Sequence, residues 1–125
     1  MNAIESYLAS IGAAWRRAGP GAWGLTLADV GGWPLDVGLA FTGPGAALLR
    51  VQAEVCGPGR LGADELLHRN RKLALVRFAQ TRAGVVWLQA DLPAAAVDAA
   101  VLDLALGLLV AAAEPARVAA TASRG

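Results

Sequence analysis

The single histidine of the chain, His68, lies close in sequence to two carboxylates. Asp64 precedes it by four residues and Glu65 by three, so all three share one face if the segment is helical. Such a group resembles an acid–histidine pair for proton transfer, or half of a metal site. A metal site needs three or four ligands, and no second histidine or cysteine is close in sequence. We therefore predict that His68 is a surface residue and that the chain holds no metal.

The other groups capable of chemistry are equally isolated. Cys56 is the only cysteine, and a nucleophilic thiol would need His68 beside it and a third group to orient the base. We predict a packed thiol instead. Three further carboxylates fall on or beside predicted strands, where solvated strand faces are expected: Asp29, Asp36 and Glu54. The Gly-Pro-Gly segments at 43–45 and 57–59 lack the amide donors of a phosphate-binding loop. The sequence thus predicts a protein that is not an enzyme and that binds no cofactor.

Basic residues concentrate in the second half of the chain, between positions 60 and 82. Six of the eleven basic residues lie there: Arg60, Arg69, Arg71, Lys72, Arg77 and Arg82. A patch built from Arg69, Arg71, Lys72, Arg77 and Arg82 would suit phosphate groups, which supports an alternative function as a nucleic-acid- or ligand-binding regulator. The net charge of only +1 and the lack of interleaved aromatic residues favour pairing with acids of a neighbouring helix or subunit.

Trp33 stands apart from the other three tryptophans because it lies in a Gly-Gly-Trp-Pro turn. An exposed tryptophan at a sheet edge is a candidate anchor for a bound peptide. The alternative is that its ring folds over the end of the sheet.

The hydrophobic pattern predicts the elements that carry these residues. A helical period indicates a first helix over residues 3–18, ended by Gly19-Pro20-Gly21. A period of two then indicates a three-stranded antiparallel meander over residues 23–27, 35–41 and 49–55. A short helix follows over 64–70, then strands over 75–79 and 85–90 and a long helix over 94–113 that Pro115 ends. The predicted order is helix, three strands, helix, two strands, helix, which is an α+β fold with an antiparallel sheet.

The long helix is apolar almost all the way round. Val97, Val101, Leu104 and Leu108 form one stripe, which we assign to the core of the protein, and Leu102, Leu106, Leu109 and Val110 form a second. A helix on one side of a small domain needs only one apolar stripe, so the second predicts a partner surface. We accordingly expect Leu104→Glu or Leu108→Glu to impair folding, and Leu106→Asp to disrupt assembly.

Composition argues against a membrane protein and favours a protein that associates through its surface. Asp98 and Asp103 interrupt the apolar segment and argue against a membrane span. The sequence has 56% hydrophobic and only 17% charged residues, which favours association through its surface. One cysteine and an N-terminus without a basic, apolar leader predict a cytoplasmic protein.

Three segments carry a resemblance to a known fold. They are Leu66-Leu67-His68-Arg69-Asn70, then Val76-Arg77-Phe78-Ala79 with Gly84-Val85-Val86-Trp87-Leu88, and Ala90-Asp91-Leu92-Pro93 before an apolar helix. Together with the element order, they make residues 3–113 resemble the type III secretion chaperones and the related bacterial sensory transduction regulators. This resemblance implies a homodimer that binds extended segments of partner proteins without catalysis.

We therefore predict a single domain over residues 1–114, with a disordered tail over 115–125. The predicted function is a homodimeric, non-enzymatic module that holds an extended segment of a partner polypeptide. Its dimer or partner interface would use the last helix and the strand near 75–80. The residues assigned to that interface are Leu75, Arg77, Ala79, Leu102, Leu106, Leu109 and Val110.

Overall fold

A six-stranded antiparallel sheet organises the protein, which is described here as a computed structural model over residues 2–122. The strands are β1 (Ala14–Gly19), β2 (Ala22–Val30), β3 (Trp33–Thr42), β4 (Leu48–Cys56), β5 (Arg77–Gln80) and β6 (Val86–Pro93). Their order across the sheet is β1-β2-β3-β4-β6-β5. The helices are α1 (Ala3–Ser10), α2 (Ala63–Asn70) and α3 (Ala99–Ala122). The predicted α+β class with an antiparallel sheet is confirmed.

Only one face of the sheet is covered. Side chains alternate along the strands, so Leu35, Val37 and Leu39 of β3 are buried while Asp36 lies on the opposite face. The same alternation in β4 and β6 gives one continuous buried surface, against which α1 and α3 pack. The opposite, open face carries polar residues, among them an ion pair between Arg50 and Asp91 at 2.8 Å.

The first helix is shorter than predicted, and the sheet gains a strand. α1 ends at Ser10, and Gly12 adopts a left-handed backbone (φ +71°) that an α-helix does not allow. The chain then returns as β1, in which Trp15 pairs with Leu25 of β2. The spacing of Ile11 and Trp15 suggested a continuous helix. Both side chains pack against the same core, but Ile11 follows α1 and Trp15 belongs to β1. The observed order is thus helix, four strands, helix, two strands, helix.

The last helix is longer than predicted. α3 begins after Asp98, whose carboxylate accepts a hydrogen bond from the amide of Val101 at 2.9 Å, and it continues through Pro115 to Ala122. The prediction that Pro115 ends the helix was wrong. Pro115 costs the helix the hydrogen bond to the carbonyl of Ala111, and the contacts that hold the following turn to the sheet through Arg117 offset this cost. Residues 115–122 of the predicted disordered tail are therefore helical, and residues 123–125 lie outside the described residues.

The division of this helix into two stripes was also wrong. Leu102 and Leu109 are 2% and 0% exposed and belong to the core, whereas Leu104 is 57% exposed. Alanines complete the buried side of the helix: Ala105, Ala112, Ala113, Ala116 and Ala120. Small side chains allow the helix to lie close to the sheet. The predicted pattern counted only leucine and valine, and it therefore placed the buried side on the wrong part of the helix surface.

Arg117 fastens the C-terminal half of α3 to the sheet. It is 3% exposed and donates hydrogen bonds to five main-chain carbonyls, those of Val30, Trp33, Pro34, Glu54 and Val55. Its guanidinium also lies 4.3 Å from the centre of the Trp33 ring. Burial lowers the pKa of this group from its ordinary value. Three strands are thereby joined to one helical turn.

We expect Leu109→Ala to lower the free energy of unfolding by about 2–5 kcal/mol, because it opens a cavity between α3 and the sheet. In the monomer, Leu104→Ala should change it by less than about 0.5 kcal/mol, because the side chain is 57% exposed there. Urea denaturation of both variants measures the difference. Equal losses would contradict the observed orientation of α3.

The turn between β2 and β3 approaches α3 so closely that only glycine fits at position 31. A Cβ there would lie 2.7 Å from the Arg117 Cβ and 2.9 Å from the Glu114 carbonyl oxygen, and the residue has φ +69°. Gly31→Ala should destabilise the protein by more than about 2 kcal/mol, since backbone strain costs about 1–2 kcal/mol and overpacking about 1–3 kcal/mol. Gly12→Ala is the matched control, because Gly12 has φ +71° but open space around it. Thermal unfolding should rank Gly31→Ala well below Gly12→Ala, and the reverse ranking would contradict the contact.

Candidate functional site

An apolar groove opens between α1, the end of β2 and the middle of α3. It encloses about 480 Å³, and we call it the α1–α3 groove. Apolar side chains that are only partly buried form most of its lining: Ile11, Ala13, Leu27, Leu106 and Val110. Tyr7, Asp29, Val30, Asp103 and Gly107 complete it. Two of the residues assigned from the sequence to a partner surface, Leu106 and Val110, lie in this groove.

The groove lies where the sheet has an open edge. β1 begins at Ala14, opposite Thr26, so Leu27–Val30 of β2 extend beyond it. On their other side these residues follow β3, with Leu27 opposite Leu35 and Val30 opposite Trp33. Ala28 and Asp29 are exposed. An extended polypeptide entering the groove therefore meets a short strand edge as well as apolar side chains.

Two carboxylates border the groove. Asp103 accepts a hydrogen bond from the Tyr7 hydroxyl at 3.0 Å, and Asp29 accepts one from the Gly32 amide at 2.9 Å. Burial and the neighbouring Asp103 carboxylate raise the pKa of Tyr7 to about 12, so the phenol remains the donor. Each carboxylate retains acceptor positions, because an ionised carboxylate takes several hydrogen bonds. The border of the groove is thus acidic.

An ion pair between the buried Glu5 and the exposed Arg17 holds α1, which forms one wall of the groove. Glu5 is 4% exposed and accepts hydrogen bonds from Arg17 at 2.5 and 2.9 Å and from the Trp23 indole at 3.0 Å. These contacts tie α1 to β1 and β2. Hydrogen bonds from Arg17 and then from Trp23 lower the pKa of Glu5 from 4.5 to about 2. Sequence analysis missed this group, because a glutamate in the first turn of a helix is ordinarily a surface residue.

The other residues assigned to the interface do not form one surface. Arg77 pairs with Gln89 and Ala79 with Trp87, which places both side chains on the open face of the sheet, opposite α3. Leu75 precedes β5, is 44% exposed and has φ +67°. The predicted combination of the last helix with the side chains of residues 75–80 is therefore wrong, because the sheet separates them.

The predicted basic patch is divided in the same way. Arg77 reaches Asp91 on the open face at 3.5 Å, while Arg69 and Lys72 line a cleft between α2 and α3 on the helical side. Arg71 is exposed beyond α2, and Arg82 is exposed in the turn between β5 and β6. Hydrogen bonds from Arg50, and then from Arg77, lower the pKa of Asp91. The basic residues do not converge on one face.

Trp33 lies at the end of the sheet with its ring against Arg117, and it is 37% exposed. It borders a pocket of about 260 Å³ together with Glu54, Cys56, Arg60 and Thr121. Burial raises the pKa of the Cys56 thiol, which keeps it protonated and poorly nucleophilic. One ring face of the predicted peptide anchor is thus already occupied within the chain.

The groups considered for metal or acid–base chemistry are apart from one another. His68 lies in the cleft between α2 and α3, whereas Asp36 accepts a hydrogen bond from the Thr26 hydroxyl at 2.7 Å on the open face. Within residues 2–122, no three His, Cys, Asp or Glu side chains are grouped as metal ligands would be.

α3 is the one helix in the described part of the chain that is long and apolar enough to cross a membrane, with a mean hydropathy of 1.7. It packs on the sheet through its leucines and alanines and buries Arg117 against five carbonyls. This is the arrangement of a core helix.

The architecture defines a known class. The chain has the α+β fold of the type III secretion chaperones, which confirms the resemblance inferred from its sequence. The solved structure that shows this is the heterodimeric complex ExoU–SpcU from the type III secretion system of Pseudomonas aeruginosa. One of its chains superposes with a TM-score of 0.69 and 19% sequence identity, over 93% of this chain and 96% of that chain. Protein-family models and curated protein sequences yield no match.

Stability should fall as the pH drops from about 4.5 to about 2, in part because Glu5 must be protonated. A lowered pKa in the folded state stabilises the protein above the pKa of the unfolded chain, and this contribution is lost as the pH falls through the folded value. We expect Glu5→Gln to lower the melting temperature at pH 7 and to reduce its decline between pH 5 and 2. Melting curves of both proteins across this range test the pair. Parallel declines would contradict a role for Glu5.

Proposed function

We propose that this protein binds a partner polypeptide without catalysing a reaction, and that it holds an extended segment of that partner in the α1–α3 groove. The observation that carries this proposal is the coincidence of an uncovered apolar groove with an open strand edge at Leu27–Val30. An added strand gains main-chain hydrogen bonds from such an edge, and alternate side chains enter the groove. The chaperone-like fold supports the same class of function.

The groove also indicates the chemistry of the segment. Leu106 and Val110 provide apolar contacts, and Asp29 and Asp103 provide negative charge at the border. The segment should therefore place an apolar side chain in the groove and a lysine or arginine beside these carboxylates. An acidic segment would meet repulsion at both carboxylates.

We further propose that the protein is cytoplasmic and acts as a homodimer. Support for the dimer comes from apolar side chains of α3 that nothing covers within residues 2–122, notably Leu104 at 57% and Val118 at 56% exposed. The division of the basic residues between two faces favours protein binding over nucleic-acid binding.

A pair of synthetic peptides tests the groove. Both are extended 12-residue peptides with alternating valines, and they differ only in two central positions, which are lysine in one and glutamate in the other. We expect the lysine peptide to bind at least about 10-fold more tightly at low salt, because two carboxylates border the groove. Fluorescence anisotropy of labelled peptides measures both affinities.

Substitutions then locate the binding. Leu106→Asp and Val110→Asp should abolish binding of the lysine peptide, because each places a charge in the apolar lining. Leu75→Asp is the matched control, since Leu75 is also a partly exposed leucine but lies away from the groove. Loss of binding in the control, or none in the groove variants, would refute this site.

A further inference from the structure

The outward side of α3 carries an apolar stripe that is separate from the α1–α3 groove. We call it the outer stripe, and its residues follow one another at alternating intervals of four and three: Leu104, Leu108, Ala111, Pro115, Val118 and Ala122. This is the spacing by which one helix packs along another. Leu104 and Val118 are more than half exposed, and Ala111, Pro115 and Ala122 are exposed as well. The stripe runs for about 27 Å at the rise of an α-helix.

A basic wall borders the outer stripe on one side. His68, Arg69 and Lys72 project from α2 and the residues after it into a cleft of about 300 Å³, which they share with Ala111 and Pro115 of the stripe. Glu65 lies in the same wall, 3.8 Å from the Nε atom of Arg69. That separation exceeds hydrogen-bonding distance.

The Nε atom of Arg69 is shut off from solvent and makes no hydrogen bond within residues 2–122. Neither His68 nor Lys72 forms an ion pair in this part of the chain. An atom enclosed in this way is also out of reach of a partner. The positive charge that the wall offers outward is therefore that of the exposed Lys72 ammonium and of the remainder of the Arg69 side chain, which is 24% exposed.

The other border of the stripe is acidic. At about 100° per residue, Glu114 and Asp103 lie on the side of α3 that faces away from α2. Both are exposed. Glu114 stands at the same height along the helix as Ala111 and Pro115, where the basic wall is found. The stripe thus has one basic and one acidic border at one level.

A second copy of this chain has the complementary surface. The charges on the two borders determine whether its α3 runs parallel or antiparallel to the first. If two outer stripes meet with their helices parallel, a twofold axis along the helices brings each basic wall against the acidic border of the other copy. If the helices are antiparallel, the axis runs across them, and basic wall meets basic wall. Only the parallel arrangement pairs opposite charges, and it does so twice because the interface is isologous.

We propose that a second copy docks on the outer stripe with its α3 parallel to the first, and that Glu114 of each copy lies against Lys72 and Arg69 of the other. This inference rests on the homodimer of the proposed function and adds to it the surface, the direction and the paired charges. The α1–α3 groove shares the acidic flank of α3 through Asp103, but its α3 residues end at Val110, about 6 Å before Glu114 along the helix.

Light scattering of the purified full chain tests the surface first. We expect a dimer for the unaltered protein and for Leu75→Asp, and a monomer for Leu104→Asp. Leu104 is mostly exposed, so the variant should keep the circular dichroism spectrum of the folded protein. A monomeric unaltered protein would refute both the homodimer and this inference. A dimer that survives Leu104→Asp, or is lost with Leu75→Asp, would refute only the docking surface and point to the edge near β5.

Exchanging charges tests the direction. Lys72→Glu makes both borders acidic and Glu114→Lys makes both basic, so each variant alone should dimerise about 10-fold more weakly at low salt. An equimolar mixture of the two should recover dimers, and so should the double variant Lys72→Glu/Glu114→Lys. Peptide affinity in the groove should be unchanged in all of them, which separates this test from that of the proposed function. Failure of the mixture and of the double variant to recover dimers would overturn the parallel arrangement.

Discussion

The position of α3 depends on one buried guanidinium. Within residues 2–122, Arg117 forms no ion pair, and its hydrogen bonds go to main-chain carbonyls of β2, β3 and β4. These carbonyls satisfy the donors of a guanidinium that is 3% exposed. Trp33 covers the remaining face of the guanidinium. The turn at Gly31 packs directly against this residue, and this contact also fixes the position of α3 on the sheet.

The two flanks of α3 differ in charge. The flank toward α1 has an apolar groove with acidic borders, and α1 itself is held there by Glu5, Arg17 and Trp23. The flank toward α2 has a basic wall formed by Arg69 and Lys72. A helix of such apolar character would ordinarily offer one undifferentiated hydrophobic surface. Here the neighbouring elements divide that surface into two regions of opposite charge.

Much of the fold was accessible from local patterns. Alternation along residues 35–41 and 49–55 predicted β3 and β4, because a sheet with one buried face imposes a period of two on its strands. Asp64 as an N-cap, with Leu66 and Leu67 turned inward, predicted α2, although the helix is capped by Gly62 and Leu67 is 65% exposed. The segment around β1 failed, because Trp15 suits a helix and a strand equally well until its partner Leu25 is known. The groove was found only in part, through Leu106 and Val110, because its other residues come from α1 and β2.

The sequence by itself determined the α+β class with an antiparallel sheet and an apolar helix surface larger than one core requires, because composition and periodicity are properties of neighbouring residues. The likeness to the secretion-chaperone fold came from the resemblance of three segments together with the element order. Only the tertiary structure decided which side of α3 is buried. Alanines contribute little to a hydrophobic pattern, yet they form the side that lies closest to the sheet. The tertiary structure also decided that Arg77 and Arg69 lie on opposite faces of the sheet. It decided as well that Glu5 and Arg117 are buried, because their burial depends on contacts between residues far apart in the chain.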